Sequence, residues 1–177
     1  MSLLFKGYTA THNCDHGGGG SNYLCLPESP QWRNHTNSNP PSGWIFGTEY
    51  HVSGDHASFF STVNNGGHQI HRGPASCAVC YVPRRSASVM IPASTSCPVG
   101  WTLEYGGYLM SEHSYDDNSG RPRHPANYIC VDQAPEVATG GVRQHESYLL
   151  TVKVGCGTLP CTTYPRGWEL ACVVCTK

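Results

Sequence analysis

The stretch Cys77-Ala78-Val79-Cys80-Tyr81-Val82 recurs near the end of the chain as Cys172-Val173-Val174-Cys175. Two further stretches recur in the same order: Gly7-Tyr8-Thr9-Ala10-Thr11-His12 as Gly107-Tyr108-Leu109-Met110-Ser111-Glu112-His113, and Asn22-Tyr23-Leu24-Cys25-Leu26 as Asn127-Tyr128-Ile129-Cys130-Val131. The offsets are 95, 100 and 105 residues, as expected for two copies of one unit whose loops differ in length. The sequence therefore predicts a tandem duplication of two half-domains, residues 1–90 and 91–177, related by a pseudo-twofold axis.

The local patterns within each half are those of strands. Runs such as Tyr148-Leu149-Leu150-Thr151-Val152-Lys153-Val154 and Ser88-Val89-Met90-Ile91-Pro92 are rich in β-branched and aromatic residues and are bounded by Gly or Pro. No stretch combines helix caps with a 3.6-residue period over three turns. We expect an all-β fold with long polar loops at residues 29–44 and 111–126, braced by disulfides.

Composition excludes several classes of protein. Charged residues make up 13% of the 177-residue chain and the net charge is −1, so there is no basic excess to bind nucleic acid. No apolar run reaches 18 residues, so membrane insertion is not expected. Ten cysteines, an even number, predict disulfides and a secreted, extracellular protein. The sequon Asn34-His35-Thr36 agrees with this. The first six residues are too short for a signal peptide, so we expect the leader of a secreted protein to have been removed.

The order of the cysteines narrows the pairing without fixing it. Cys156 and Cys161 close a short Gly-Pro loop and are natural partners. Cys97 and Cys130 are then expected to meet Cys172 and Cys175 in either combination. By repeat symmetry, Cys25 would meet Cys77 or Cys80, and Cys14 would take the one that remains.

Eight segments together resemble one family. They are Gly17-Gly18-Gly19-Gly20-Ser21-Asn22-Tyr23-Leu24-Cys25-Leu26-Pro27, Cys77-Ala78-Val79-Cys80, Met90-Ile91-Pro92-Ala93, Cys97-Pro98-Val99-Gly100-Trp101, Gly107-Tyr108-Leu109-Met110, Tyr128-Ile129-Cys130-Val131-Asp132 with Pro135-Glu136, Cys156-Gly157-Thr158-Leu159-Pro160-Cys161 and Cys172-Val173-Val174-Cys175-Thr176-Lys177. The chain resembles the C-terminal globular domain of invertebrate short-chain collagen C4-like proteins, which are related to the spongin short-chain collagens. Its second half is also similar to the subdomain of the collagen IV non-collagenous domain, and domains of this kind resemble some galactose-binding lectins of marine invertebrates.

The resemblance to the collagen IV domain implies a specific set of disulfides. For the second half these are Cys97–Cys175, Cys130–Cys172 and Cys156–Cys161. For the first half they are Cys25–Cys77 and Cys14–Cys80.

Histidines are the most distinctive candidates for a functional site. His12, Asp15 and His16 precede the Gly17–Gly20 run, and His68, His71 and Arg72 precede Cys77, so a disulfide there would bring the two segments together. His12, His16, His68 and His71 would suit a metal such as zinc, with calcium as the other ion considered, although no cofactor is required. The same groups, with Trp32 and Trp44 beside a polar loop, would also suit a sugar, and solvated histidines in a braced loop are the third interpretation.

The sequence contains no nucleophile elbow, H-E-x-x-H motif or phosphate-binding glycine loop, so we expect a protein that is not an enzyme. The predicted function is a secreted lectin that recognises galactose-type glycans on glycoproteins and acts multivalently as a homo-oligomer. The alternative is a non-catalytic extracellular-matrix assembly module of a short-chain collagen-like protein.

Overall fold

A computed structural model describes residues 1–14, 20–34, 42–112, 126–140 and 146–177. Within these ranges the chain forms ten strands and two short 3₁₀ helices, Gly54–Phe59 and Val63–Asn65. The strands are β1 (Ser2–Thr11), β2 (Leu24–Pro27), β3 (Phe46–Gly47), β4 (Glu49–Tyr50), β5 (Ser76–Tyr81), β6 (Ser88–Pro92), β7 (Thr102–Ser111), β8 (Ile129–Asp132), β9 (Tyr148–Thr151) and β10 (Ala171–Thr176). The all-β expectation is confirmed.

Two long strands organise two sheets. In the four-stranded sheet, β1 pairs with β2, β3 and β5, all antiparallel. In the six-stranded sheet, β7 pairs with β8, β9 and β10, also antiparallel, while β6 adds to β10 and β4 adds to β9. Each long strand is therefore the hub of its sheet.

The registers around the two hubs correspond closely. Gly7 lies opposite both Pro27 and Cys77, and Gly107 lies opposite both Asp132 and Cys172. A Cβ atom at Gly7 would collide with the backbone carbonyl of Leu26, and one at Gly107 would collide with that of Val131. Both positions therefore require glycine, because the neighbouring strand crosses too closely for any side chain.

The two halves nevertheless interlock. Strand β4, from the first ninety residues, joins the second sheet by pairing in parallel with β9. Strand β6 contains the expected boundary at residue 90 and pairs with β10. One buried cluster draws on both halves: Tyr50, Val52, Phe60, Ile70 and Ala75 on one side and Met110, Val131 and Leu149 on the other. The division at residues 90 and 91 and the pseudo-twofold axis stay predictions.

Four of the five expected disulfides are present: Cys25–Cys77, Cys97–Cys175, Cys130–Cys172 and Cys156–Cys161. Two of them connect strands that flank a hub. Such strands lie about 9.5 Å apart in a flat sheet, yet the Cα atoms are 5.7 Å apart in both Cys25–Cys77 and Cys130–Cys172. Each sheet is therefore curled around its hub strand, and the disulfide holds the curl in place.

The expected Cys14–Cys80 disulfide is wrong, because the register places its cysteines at opposite ends of β1. Cys80 lies opposite Leu3 and is a free, exposed thiol, while Cys14 follows the other end of the strand and is buried. The eight residue-to-residue steps from Leu3 to Thr11 span roughly 26 Å of extended chain, and a disulfide needs Cα atoms within about 7 Å.

No helix in the described ranges is long and apolar enough to cross a membrane.

Substitution of the hub glycines should destabilise the fold. We expect Gly7→Ala and Gly107→Ala each to lower the free energy of unfolding by about 1–3 kcal/mol, because the methyl group displaces a backbone carbonyl. Denaturant unfolding measures this. Gly47→Ala on β3 is the matched control, since its Cβ would meet nothing within 4 Å. An unchanged midpoint for Gly107→Ala would contradict the close crossing.

The disulfides should differ in their contribution to the free energy of unfolding, according to the length of chain that each one closes. Cys130–Cys172 closes 42 residues and Cys156–Cys161 closes 5. Loop-closure entropy predicts losses of about 4 and about 2 kcal/mol for the respective double alanine variants. Unfolding of both variants under non-reducing conditions checks the order, and equal losses would show that loop length does not govern it.

Candidate functional site

A cleft of about 1010 Å³ lies between the two sheets. Strands β2 and β5 contribute to one wall, and β6, β7 and β8 contribute to the other. The segment that follows β8, from Ala134 to Thr139, also lines the cleft. The cleft therefore exists only because the halves pack together.

Tyrosines and backbone carbonyls form part of the lining. The Tyr50 hydroxyl donates to the carbonyl oxygen of Glu136 at 3.1 Å, and the Ser76 hydroxyl donates to the same oxygen at 2.9 Å. Burial raises the pKa of Tyr50 well above its usual range, and the charges of Glu136 and Asp132 act in the same direction. The Tyr50 phenol is therefore a permanent, neutral donor that anchors the segment after β8.

Asp132 lies at the end of β8, close to a second phenol. The Tyr105 hydroxyl donates to the Cys130 carbonyl oxygen at 3.3 Å. Burial raises the pKa of Tyr105, and the charge of Asp132 adds to the effect. One carboxylate oxygen of Asp132 accepts from the Ala134 amide at 2.7 Å, which fixes the turn. The side chains of Asp132 and Glu136 both belong to exposed residues of the lining.

The cleft also contains three side chains that contact one another, and two of them are charged. Arg85 forms an ion pair with Glu104 and donates to the Thr176 hydroxyl at 2.9 Å, while that hydroxyl donates to Glu104 at 2.5 Å. The hydrogen bond from Thr176 and the charge of Arg85 hold the pKa of Glu104 below its usual range, although partial burial opposes them. Glu104 is therefore ionised at neutral pH and orients the guanidinium.

This lining can bind a polyhydroxylated molecule. Carboxylates accept hydrogen bonds from hydroxyl groups, a guanidinium donates to oxygen atoms, and tyrosine rings cover apolar faces. Tyr81, at the end of β5, is 56% exposed and lines the cleft, so its ring is available for such a contact.

Among the described residues, none of the site residues predicted from sequence lines this cleft. Trp32 and Trp44 are exposed elsewhere, at 80% and 63%, and His68 and Arg72 are also exposed. His12 is 3% exposed, which leaves no surface for a glycan, and its Nδ1 lies 3.4 Å from the Thr11 hydroxyl. Asp15 and His16 lie outside the described residues.

The His71 ring lies beside the ring of His51, which was not among the predicted site residues. Its centroid is 5.2 Å from that of His51, whose ring is in turn 5.1 Å from Tyr148. No group of three or more His, Cys, Asp or Glu side chains in the described ranges could hold a metal ion. His16 is outside those ranges, so the zinc or calcium expectation stays a prediction.

Sequence reasoning missed the residues that do line the cleft. Asp132 and Glu136 stood within a segment quoted for the family resemblance, and Asp132 ends strand β8. Polar residues at a strand end are candidates for a site, and this was the available signal. The tyrosines gave no such signal, because Tyr50 and Tyr105 are far apart in sequence and line one cleft only in the folded chain.

A second polar cluster joins the two halves at Glu169. Its carboxylate is 2.8 Å from His56 Nε2 and 3.3 Å from Lys153 Nζ, and His56 Nδ1 lies 3.3 Å from the Thr151 hydroxyl. Burial acts to raise the pKa of Glu169, but hydrogen bonds from its own backbone, His56 and Lys153 outweigh it and lower the pKa.

The lowered pKa of Glu169 predicts an acid-sensitive contribution to stability. A carboxylate whose folded-state pKa is depressed stabilises the fold fully above its unfolded value of 4.5, and this contribution disappears as pH falls through the folded value. We expect Glu169→Gln to be less stable than wild type at pH about 7, with the difference shrinking below pH about 4.5. Denaturant midpoints across this range test it, with Glu28→Gln as an exposed ion-pair control. A pH-independent difference would show that the charge of Glu169 is not responsible.

Comparison with known proteins does not place the chain in a family. Neither a protein-family model nor a solved structure matches it. Membership of the short-chain collagen C4-like group therefore stays a prediction.

Proposed function

We propose that this protein is a secreted, non-catalytic carbohydrate-binding protein that binds a galactose-type glycan in the cleft between its sheets. The observation that carries the proposal is the lining, in which exposed carboxylates, an oriented guanidinium and tyrosine rings surround one space of about 1010 Å³. Four disulfides fit an extracellular protein and support the proposed compartment.

The chemistry assigns different tasks to the two walls. Asp132 and Glu136 accept hydrogen bonds from adjacent sugar hydroxyls on one side. Tyr81 packs against the apolar face of the ring on the other, and Arg85 donates to ring or hydroxyl oxygens through the N–H groups that Glu104 leaves open. Galactose is proposed as the sugar because of the resemblance to marine invertebrate lectins, and a homo-oligomer would supply avidity.

A glycan array with the purified chain, with and without EDTA, tests the proposal. We expect saturable binding to a narrow set of galactosides. EDTA sensitivity would support a zinc or calcium requirement and a role for the predicted histidines. Absence of binding to every glycan at high protein concentration would overturn the proposal.

Substitution within the cleft tests its location. Glu136→Gln keeps the backbone carbonyl that Tyr50 and Ser76 need and removes only the side-chain charge, so we expect roughly tenfold weaker binding of a soluble glycan, the loss of one charged hydrogen bond. Asp55→Asn, in an exposed 3₁₀ helix away from the cleft, is the matched control. Unchanged affinity for Glu136→Gln would place the sugar elsewhere.

The assembly module of a short-chain collagen-like protein is the second candidate function. It is favoured by a separate observation, the group of exposed tryptophans outside the cleft.

A further inference from the structure

The polar loop that follows β2 contains a motif that the cleft does not use. Asn34-His35-Thr36 is the one Asn-x-Ser/Thr triplet in the sequence in which x is not proline. Oligosaccharide transferases of the secretory pathway recognise such triplets. Proline directly after the asparagine or directly after the threonine blocks the transfer, and the residues at these two positions are His35 and Asn37. The motif is therefore intact, and its use depends on whether Asn34 can be reached.

The described part of this loop lies outside the two sheets. Its last tie to β1 is Glu28, whose amide donates to the Lys6 carbonyl oxygen at 3.2 Å and whose carboxylate lies 3.3 Å from Lys6 Nζ. Residues 29–34 are all exposed, and within the described part of the chain none of them forms a hydrogen bond, an ion pair or a ring contact. The chain bends at Asn34. A transferase can therefore reach this asparagine without displacing any contact of the fold.

The side-chain nitrogen of Asn34 is free to react, in contrast to that of two other asparagines. Asn64 Nδ2 donates to the Ala134 carbonyl oxygen at 2.6 Å, and Asn65 Nδ2 donates to that of Pro135 at 2.7 Å. Among the described residues, no group accepts a hydrogen bond from the Asn34 side chain. An N-glycosidic bond replaces one N–H bond of the amide, so its formation at Asn34 breaks no hydrogen bond with a described residue.

Trp32 lies two residues before Asn34 and is 80% exposed. The Cα atoms of residues two apart are separated by at most about 7 Å, which an indole and a sugar on an asparagine side chain can bridge. A pyranose ring presents C–H bonds on one face, and an aromatic ring covers such a face. A sugar on Asn34 would therefore remove apolar surface of the Trp32 indole from water.

We infer that Asn34 is an N-glycosylation site and that the first sugar of its glycan, an N-acetylglucosamine, packs on Trp32. In the transfer, the side-chain nitrogen of Asn34 attacks the anomeric carbon at the reducing end of a polyprenyl-diphosphate-linked oligosaccharide. The carbon–nitrogen bond forms as the bond from that carbon to the phosphate oxygen breaks. The polyprenyl diphosphate leaves with the bonding electron pair, and one amide proton passes to a base of the transferase.

An attached glycan suits the surface around it. Charged residues make up only 13% of the chain, and an N-linked oligosaccharide is bulky and increases solubility. The glycan covers Trp32 within the chain itself, whereas Trp44 and Trp168 stay available to the assembly candidate. The inference rests on the secreted compartment in the proposed function, but it does not depend on glycan binding in the cleft.

Mass spectrometry of the full chain tests the inference. The chain is made in eukaryotic cells with an added signal peptide, and the secreted and cell-associated pools are both measured. We expect a mass that exceeds that of the polypeptide by one N-linked oligosaccharide, which peptide N-glycosidase removes. Asn34→Gln and Thr36→Ala should each lose the oligosaccharide completely. Asn37→Gln is the matched control, because it changes a neighbouring asparagine outside the triplet and should keep the oligosaccharide.

An unmodified Asn34 in both pools would overturn the inference, and so would an oligosaccharide that persists in Asn34→Gln. Either result leaves the proposed function standing, since a glycan array with Asn34→Gln tests the cleft in a chain without an attached sugar. A glycosylated chain that binds nothing on the array would overturn the proposed function and support the modification.

Quenching of tryptophan fluorescence by acrylamide tests the contact with Trp32. We expect acrylamide to quench Asn34→Gln more strongly than the glycosylated wild type, because the Trp32 indole is then open to the quencher. In a Trp32→Phe background, Asn34→Gln should leave the quenching unchanged. Equal quenching of the wild type and Asn34→Gln would overturn the packing of the sugar on Trp32.

Discussion

The close crossing of strands at Gly7 and Gly107 is the constraint on which the rest of the structure depends. At each glycine a backbone carbonyl of the neighbouring strand occupies the place of a side chain, and a disulfide joins the two strands that flank the hub. A flat sheet would hold these strands too far apart for the disulfide. The curl therefore requires a residue without a Cβ atom at its centre. The disulfide stabilises this arrangement because it restricts the conformations of the unfolded chain.

The curl also determines where the two halves can meet. Because β1 and β7 are each surrounded by their own partners, contact between the halves falls to the short segments around β4 and β9 and to the chain after β8. Tyr50 shows the consequence: its ring belongs to the shared core, its backbone extends the second sheet, and its hydroxyl holds the Glu136 carbonyl. The cleft between the sheets is a product of this joint.

The sequence predicted local features well and long-range ones unevenly. Strand content and the repeated segments follow from short patterns, and the resemblance supplied four correct disulfides because cysteine order is a strong constraint. Cys14–Cys80 failed because the symmetric pairing rule ignored the length of β1, which keeps the two residues at opposite ends. One of the predicted histidines shows a related difficulty: His12 directly follows the hub strand and is buried there, so proximity in sequence to a polar loop did not predict exposure. Asp132, Tyr50 and Tyr105 belong to different segments, and only the folded chain brings them to the lining of one cleft.

The positions of the four tryptophans distinguish the cleft from the rest of the surface. Trp101 is partly buried, whereas Trp32, Trp44 and Trp168 are exposed, and none of them lines the cleft. Large exposed aromatic residues in a chain with few charges favour association unless something covers them. Association through the exposed aromatic residues of this chain would therefore use a surface other than the cleft.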